Sequence, residues 1–410
     1  MRADAVVLGA GMVGISVALH LQARGRSVAL VDRRGAAEET SFGNAGLIQR
    51  EGVVPYGFPH DFGALLRYGM NRTIDAHYHP SALPELVPFL WKYWKHSRRE
   101  RHAQIARVYA HLIEHCVAEH EALAAQAGAE EFLRRKGWMR VFRTERERDL
   151  RVAEAGRWRA EFGIAFSELN EKNLREQEPH LAPVLVGALH WTDPISVVDP
   201  QGLALAYLKL FESRGGRFLQ GNAASLEQGW SVETVEGKVQ AKEVVVALGP
   251  WADVVTRALG YDLPLAVKRG YHMHYRAAGA AHLNHPVLDT ERGYMLAPMQ
   301  RGIRLTTGAE FALRDAIRTP VQLGRAEPIA RDLFPLAERL DSEPWMGARP
   351  CTPDMLPIIG RAPKHANLWF AFGHAHHGLT LGPVTGRLIG EMMAGETPFI
   401  DPAPYRAERF

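Results

Sequence analysis

The chain has 410 residues, 46% hydrophobic and 23% charged, a composition typical of a globular protein long enough for two domains. Its 49 basic and 46 acidic side chains leave a net charge of only +3, which argues against nucleic acid as a partner. The only cysteines are Cys116 and Cys351, so a disulfide framework is excluded, although a single bridge stays open.

No apolar run is long enough to span a bilayer, and structure-forming sequence begins almost at the first residue. We therefore expect a cytoplasmic protein. The segment FLWKYWKHSRRERH (89–102) is aromatic and then strongly basic. We interpret it as a helix with one buried aromatic side and a solvated basic end. The alternative is at most peripheral contact with the inner face of the membrane.

The segment AVVLGAGMVGISVALHLQARGRSVALVDRR (5–34) predicts a buried strand, a tight turn, a helix and a second strand. Its G-x-G-x-x-G spacing lets the backbone approach a pyrophosphate at the positive end of the helix. The predicted phosphate-binding residues are Gly9, Ala10, Gly11, Met12, Val13 and Gly14. Asp32 ends the second strand, where an acid binds the adenosine ribose, and Arg33 follows it.

The next segment favours FAD over NAD. ETSFGNAGLI (39–48) is a loop of small residues, whereas an NAD enzyme more often continues into another βαβ unit. An FAD enzyme runs this part of the chain along the ribityl and pyrophosphate groups, where hydroxyl and amide side chains bind and glycines allow close approach. The predicted contacts are Thr40, Ser41, Asn44, Ala45, Gly46 and Leu47.

The remaining chain alternates between two kinds of structure. Residues 60–180 read as mostly helical, and residues 264–276 and 287–311 alternate like antiparallel strands. Pieces of βαβ character return near 197–262 and at the end of the chain. We predict an α/β fold with a discontinuous Rossmann-like FAD-binding domain (1–75, 196–262 and 346–410) and an inserted α+β substrate domain, an antiparallel sheet with helices (76–195 and 263–345).

Four separated motifs resemble the D-amino-acid oxidase superfamily of FAD oxidoreductases, especially bacterial D-amino-acid dehydrogenases, D-hydroxyproline dehydrogenases and glycine oxidase. They are GAGMVG with VDRR, TSFGNAG, ALGPWA, and GARPCTPDMLPIIG (347–360) followed by GHAHHGLTLGPVTG. The resemblance covers nearly the whole chain.

This resemblance implies bound FAD. Ala224 would face the adenine, and Ala247, Gly249 and Trp251 would lie behind the cofactor. In monomeric sarcosine oxidases a cysteine five residues before the matching threonine links to the flavin. Here that position is Gly347, so we predict non-covalent FAD.

Arg349 is the leading substrate-binding candidate, because the matching arginine of glycine oxidase holds the substrate carboxylate. A planar guanidinium pairs with a carboxylate through two parallel hydrogen bonds. It also borders the cofactor site. The alternative is that Arg349 forms a structural ion pair, for which Asp354 is the candidate partner.

The strand KRGYHMHY (268–275) supplies further candidates by resemblance. Alternation sends Tyr271 and His272 to opposite faces, so only one is expected to reach the site, and we favour His272. Tyr294, in ERGYMLAP, is a candidate from the adjoining strand.

The histidine-rich stretch FGHAHHGLTL (372–381) lies between a predicted strand and helix. The resemblance places backbone amides and a helix N-terminus beside the flavin, where a positive dipole stabilises negative charge. We predict that His377, Gly378, Leu379 and Thr380 contact the cofactor, and that His374 and His376 line the substrate pocket. We predict no metal site, since no carboxylate or cysteine accompanies these histidines. Glycine oxidase has an arginine where His376 stands, which argues against glycine as the substrate.

The expected activity is FAD-dependent dehydrogenation of a D-amino or cyclic imino acid, favouring D-proline or cis-4-hydroxy-D-proline, by hydride transfer from Cα to flavin N5. The alternatives are a glycine or sarcosine-type oxidase producing hydrogen peroxide, a flavin-carrying subunit that needs a partner, and an NAD-dependent dehydrogenase. The electron acceptor (a quinone, an electron-transfer protein or oxygen) and the oligomeric state cannot be read from the sequence.

Overall fold

The computed structural model describes all 410 residues, and their strands and helices are arranged around two large sheets. The strands in chain order, β1 to β21, are Arg2–Leu8, Val28–Asp32, Leu47–Ile48, Ala76–Tyr78, Leu133–Arg134, Trp138–Phe142, Phe166–Asn170, Gly187–Trp191, Ile195–Val197, Arg217–Glu227, Ser231–Thr234, Gly237–Val246, Ala266–Ala277, Val287–Asp289, Tyr294–Met299, Gly302–Thr306, Ala309–Phe311, Leu336–Arg339, Trp345–Cys351, Ile358–Arg361 and Leu368–Phe372.

Eleven α-helices accompany the strands. In chain order, α1 to α11 are Met12–Gln22, Phe62–Gly69, Leu83–His96, Arg99–Ile113, Cys116–Ala127, Glu145–Phe162, Glu171–Gln177, Pro200–Ser213, Ala252–Ala258, Val321–Leu333 and Gly378–Ala394. Five one-turn 3-10 helices lie at Pro80–Ala82, Glu130–Phe132, Gly249–Trp251, Ala403–Tyr405 and Ala407–Arg409.

The first sheet is built on parallel strands. β1 lies between β2 and β12, β10 continues beyond β2, and β21 beyond β12, all parallel. β20 pairs antiparallel with β21, and β11 joins β10 to β12 as an antiparallel connection. The central strands are buried because their Val, Ala and Leu side chains face covered layers on both sides.

The second sheet has 11 strands and is mostly antiparallel. Its centre is β13, which pairs antiparallel with β16, β17, β18 and β19. Only β14 with β6 and β17 with β4 run parallel. A small third sheet joins β3, β9 and β5.

α1 and α11 pack closely on one face of the first sheet. A Cβ at Gly382 would lie 2.7 Å from Met12 Cγ, and one at Gly386 would lie 2.6 Å from Ser16 O. The four-residue spacing of these glycines, on one helix face, therefore allows α11 to approach α1. This packing brings the N-termini of both helices to the same edge of the sheet, where the parallel strands end.

The fold matches the predicted α/β class. Residues 60–180 are mostly helical, as predicted, because α2 to α7 make up most of this segment, although the short strands β4 to β7 also lie in it. The last helix begins at Gly378, directly after the histidine-rich stretch. The domain division stays a proposal. Strands of the first sheet come from its three cofactor segments, whereas β19, assigned from residue 346 to that domain, pairs with β13 in the second sheet.

Candidate active site

A cavity of about 1130 Å³ runs past the glycine turn after β1 and reaches the second sheet. It slightly exceeds the roughly 300–1,000 Å³ typical of small-molecule and cofactor pockets. The predicted site residues that line it are Gly9, Gly11, Met12, Val13, Asp32, Arg33, Thr40, Ser41, Asn44, Ala45, Leu47, Ala224, Ala247, Gly249, Trp251, Tyr271, Tyr294, Arg349, His374, His376, His377, Gly378 and Leu379.

Five predicted residues do not line this cavity: Ala10, Gly14, Gly46, His272 and Thr380. Gly14 acts inside the turn, because a Cβ there would overlap the carbonyl oxygen of Gly9. Gly46 has a φ of 74° and packs against Val197 O, a position that only glycine fills without strain. Thr380 supports the wall, since its hydroxyl donates to Leu47 O over 3.1 Å.

The glycine turn is held by side chains from neighbouring segments. Gly9 has a φ of 106° and lies against Ala247, so the turn passes close to the end of β12. Ser41 Oγ accepts from Met12 N at 3.0 Å, at the start of α1. A Cβ on Gly11 would lie only 3.1 Å from that same Ser41 Oγ, and glycine keeps this side of the turn open.

Asp32 lies at the end of β2, at the position predicted for the acid that binds the adenosine ribose. Its Oδ2 accepts from Ala10 N at 2.7 Å and its Oδ1 from Arg34 N at 3.2 Å. Burial raises the pKa of Asp32, and the two amide hydrogen bonds oppose that change. Beside it, the guanidinium of Arg33 lies 4.1 Å above the ring of Trp251, forming a flat wall at this end of the cavity.

The loop between β2 and β3 is fixed by its own polar side chains. Thr40 Oγ1 donates to Ala348 O at 2.8 Å, which ties the loop to β19. Asn44 Oδ1 accepts from Gly46 N at 2.9 Å. These side chains hold the loop backbone along the cavity, with Ala45 exposed to it.

The N-terminus of α11 opens into the cavity. The backbone amides of Gly378, Leu379 and Thr380 donate to no protein group. Gly378 and Leu379 line the cavity, so this helix end presents a positive dipole and free donors to it, an arrangement suited to an anionic or electron-rich group.

The three histidines of the adjoining loop have separate environments. His374 Nε2 lies 2.9 Å from Thr385 Oγ1, and His377 Nδ1 lies 2.6 Å from the hydroxyl of Tyr109. His377 Nε2 is buried without a partner. Burial lowers the pKa of His374 and of His377 to about 3, so both rings are neutral near pH 7. The ring centroid of His376 lies 4.8 Å from that of Tyr56, with the two rings tilted by 47°, and burial, then His377, also lowers the pKa of His376.

Arg349 projects into the cavity from β19. Its Nη1 donates to Gly308 O at 3.0 Å, and a Cβ at Gly270 would overlap its Nη2, so the guanidinium lies across that glycine. Arg349 forms no ion pair, and Asp354, the acid suggested as its structural partner, pairs instead with Arg409 at 2.9 Å. Burial lowers the pKa of Arg349, and its ordinary value is high enough that it stays charged.

Of the two neighbouring candidates on β13, Tyr271 lines the cavity and His272, which we favoured, does not. Tyr271 lines the cavity, but its hydroxyl donates to Glu310 Oε2 at 3.0 Å and accepts from Thr319 N at 2.9 Å. His272 is buried against Trp345, with ring centroids 4.7 Å apart, and lies behind the cavity wall. Tyr294 lines the cavity and donates its hydroxyl to Asp289 Oδ2 at 3.1 Å. Neither tyrosine hydroxyl is therefore free.

Among the residues of the cavity wall that sequence reasoning missed are Tyr56, Lys268 and Trp345. Lys268 lies directly opposite Arg349 in the pairing of β13 with β19, and Trp345 lies opposite His272. The alternation used for Tyr271 and His272 would have found Lys268, because residues 268 and 272 share one face of the strand.

A second cluster bears on the metal question. Ligand atoms of His77, His79 and Glu310 lie within 4.8 Å of one another. However, Glu310 Oε2 already accepts from Arg269 Nε at 2.6 Å, and Glu310 Oε1 lies 3.2 Å from His79 Nε2. The buried arginine neutralises this carboxylate, which disfavours a divalent cation. Both cysteines are buried and free, so the single bridge left open does not form.

These features, together with a comparison of the full chain with known families, identify the family. Residues 4–392 match the family model described as DAO, FAD dependent oxidoreductase. The chain belongs to this family. Its cofactor is FAD, and the open glycine turn, the loop backbone and the free amides of α11 fit that group along one continuous cavity. The NAD-dependent alternative was wrong.

Curated relatives match end to end. The chain is 29% identical to a D-amino-acid oxidase of Bradyrhizobium diazoefficiens over 98% of both chains. It is 30% identical to a D-amino acid dehydrogenase of Cereibacter sphaeroides over 99% of this chain and 95% of the relative. The protein is therefore an FAD-dependent amino acid oxidase or dehydrogenase acting on the CH–NH2 group.

Solved structures share the fold. Glycine oxidase from Geobacillus kaustophilus superposes with a TM-score of 0.74 at 24% identity, covering 100% of this chain and 99% of that one. L-proline dehydrogenase from P. horikoshii gives 0.71 at 17% identity, over 100% and 98%. At these identities the similarity shows the fold alone. No helix combines the length and the hydrophobicity that crossing a membrane requires.

Proposed function

We propose that the protein dehydrogenates D-amino or cyclic imino acids, with D-proline and cis-4-hydroxy-D-proline as the favoured substrates. The observation that carries this proposal is Arg349, a cation that lines the cavity without an acidic partner. A guanidinium has five N–H donors, and only the bond to Gly308 O uses one here. The remaining donors bind the substrate carboxylate as a fork.

In this proposal the tyrosines and histidines of the site shape it and do not act as acids or bases. The hydroxyls of Tyr271 and Tyr294 are occupied, so these residues contribute ring surface. The lowered pKa values of His374 and His376 keep both rings neutral. Positive charge from Arg349 disfavours the ammonium form of the substrate, which promotes binding of the neutral amine.

FAD, when bound, supplies the two-electron acceptor for the hydride that leaves Cα. We propose that the free amides of Gly378 and Leu379 hold its electron-rich end and that the turn at Gly9 and Gly11 holds its phosphates. Gly347 stands where a covalent link would require cysteine, so we propose non-covalent attachment. Acid precipitation should release the flavin into the supernatant.

The test is anaerobic reduction of the purified flavoprotein. D-proline, cis-4-hydroxy-D-proline, their L-forms, glycine and sarcosine are added separately, and bleaching of the flavin absorbance is followed. Bleaching by the D-imino acids supports the proposal, whereas bleaching by glycine or sarcosine alone supports the oxidase alternative. Peroxide formation under air, compared with reduction of a soluble quinone, then distinguishes oxygen from a quinone as acceptor.

We also propose that the surface of α2 and α3 contacts anionic membranes. No residue of α2 is buried, and Phe62 is 80% exposed. On α3, Trp91 is 54% exposed and lies next to the exposed Lys92 and Lys95, which form no ion pairs. Apolar side chains beside unpaired basic ones are typical of helices that lie at a lipid interface.

Vesicle sedimentation tests this surface. The protein should pellet with vesicles containing phosphatidylglycerol and much less with pure phosphatidylcholine. Replacing Phe62 and Trp91 by serine should abolish the difference. Replacing Ile317, which is 85% exposed outside α2 and α3, should leave this difference unchanged. Equal pelleting of all forms would contradict the proposal.

A further inference from the structure

Lys268 is a buried cation without an anion. It is 8% exposed and lines the cavity. Its ammonium lies 4.0 Å from the ring centroid of Tyr93 and 5.3 Å from that of Phe311, and its nearest polar contact is Met355 Sδ at 3.9 Å. Burial of an unpaired ammonium is costly, and aromatic rings offset only part of that cost.

Lys268 and Arg349 form a pair of like charges. They are direct partners in the antiparallel pairing of β13 and β19, so both side chains leave the same face of the sheet. Like charges directly opposite one another destabilise a sheet. Neither cation is neutralised by an acid of the protein, although Asp354 nearby binds Arg409. The arrangement fits a ligand that brings two negative charges to this face.

We propose that Lys268 binds a second carboxylate of the substrate, so that the enzyme acts on dicarboxylic D-amino acids such as D-glutamate or D-aspartate. The inference rests on the proposed function, in which Arg349 holds the α-carboxylate. The ammonium then forms a charge-assisted hydrogen bond to the side-chain carboxylate. Tyr93 and Phe311 enclose the methylene groups between the two acids. Lys268 is thereby a determinant of specificity that extends the substrate class beyond ring imino acids.

The test compares each acid with its own amide, which differs little in shape. Dissociation constants for D-glutamate and D-glutamine, and for D-aspartate and D-asparagine, are measured by anaerobic flavin reduction. At least one acid should bind about 10- to 100-fold more tightly than its amide, the range of one charge-assisted bond. Lys268→Met should remove that preference and leave amide binding within about threefold. Lys268→Arg should restore part of it, and Lys209→Met, an exposed control, should change nothing.

The wild-type protein provides a readout that does not depend on a variant folding. Glutarate should bind more tightly than glutaramate, its half amide, by calorimetry. Absence of any preference for acid over amide would overturn the inference, and so would equal weakening of acid and amide by Lys268→Met. Reduction by D-proline without any preference for dicarboxylates would reject this inference alone. No reduction by any D-amino or imino acid would reject the proposed function itself.

Discussion

Replacing Arg349 by lysine should weaken substrate binding without removing the positive charge. The guanidinium lies across Gly270 and uses one donor on Gly308 O, which leaves a fork free for two hydrogen bonds to the carboxylate. Lysine retains one such bond at most. A hydrogen bond to a charged group contributes about 1.5–3 kcal/mol, so its loss should raise the dissociation constant about 10- to 150-fold. Arg349→Met should remove both bonds and cost more.

The assay is anaerobic stopped-flow reduction with the substrate that bleaches the flavin fastest. It separates the dissociation constant from the limiting rate, and a carboxylate role predicts that the first changes more than the second. Arg157→Lys, at an exposed position on α6, serves as the matched control. An unchanged dissociation constant in Arg349→Lys would refute the role. Loss of bound flavin with normal substrate affinity in the remaining holoprotein would assign Arg349 to the cofactor instead.

Three further outcomes are expected. Gly14→Ala should purify with little flavin, since its methyl group would overlap the carbonyl oxygen of Gly9. The control Gly156→Ala, in open space on α6, should keep its flavin. The ratio of flavin absorbance to protein absorbance measures the flavin content of both variants. Gly270→Ala should displace the guanidinium of Arg349 and raise the dissociation constant about 10- to 100-fold at unchanged flavin content, because small misplacements at a reacting centre have effects of that order. His374, whose pKa falls from 6.5 to about 3, takes up a proton on unfolding as the pH drops below 6.5. Wild type should therefore lose about 2 kcal/mol more than His374→Gln between pH 7 and pH 5 in urea unfolding.

The predictable parts of the fold are those that depend only on residues close together in the sequence. The turn at Gly9 to Gly14, the helix that begins at Pro200 and the helix end at Gly395 all follow from local backbone preferences, and the structure has each of them. The strands within 60–180 do not follow from such local preferences. β6, for example, pairs with β14, some 150 residues later, and local periodicity does not report such pairing.

The same limit applies to the site. Alternation separated Tyr271 from His272, but the face that meets the cavity depends on β19, whose Trp345 covers His272. Arg349 likewise lacks an acidic partner because Asp354 pairs with Arg409 instead. No spacing in the sequence indicates that pairing. Residue types and spacings therefore indicated candidates, and long-range pairing determined which of them line the cavity.

The charges around the cavity argue for binding by charge and against acid–base catalysis by histidine. Arg349 and Lys268 lack acidic partners, and Arg140, another cavity-lining cation, has its Nε buried without a partner. His376 beside them is kept neutral, because burial, His377, Arg349 and Lys268 all lower its pKa. A site of this kind binds carboxylates strongly and lowers the pKa of a substrate amine at the same time. In the mechanism that we propose, the amine then loses its proton to water on binding, and Cα donates the hydride without a protein base.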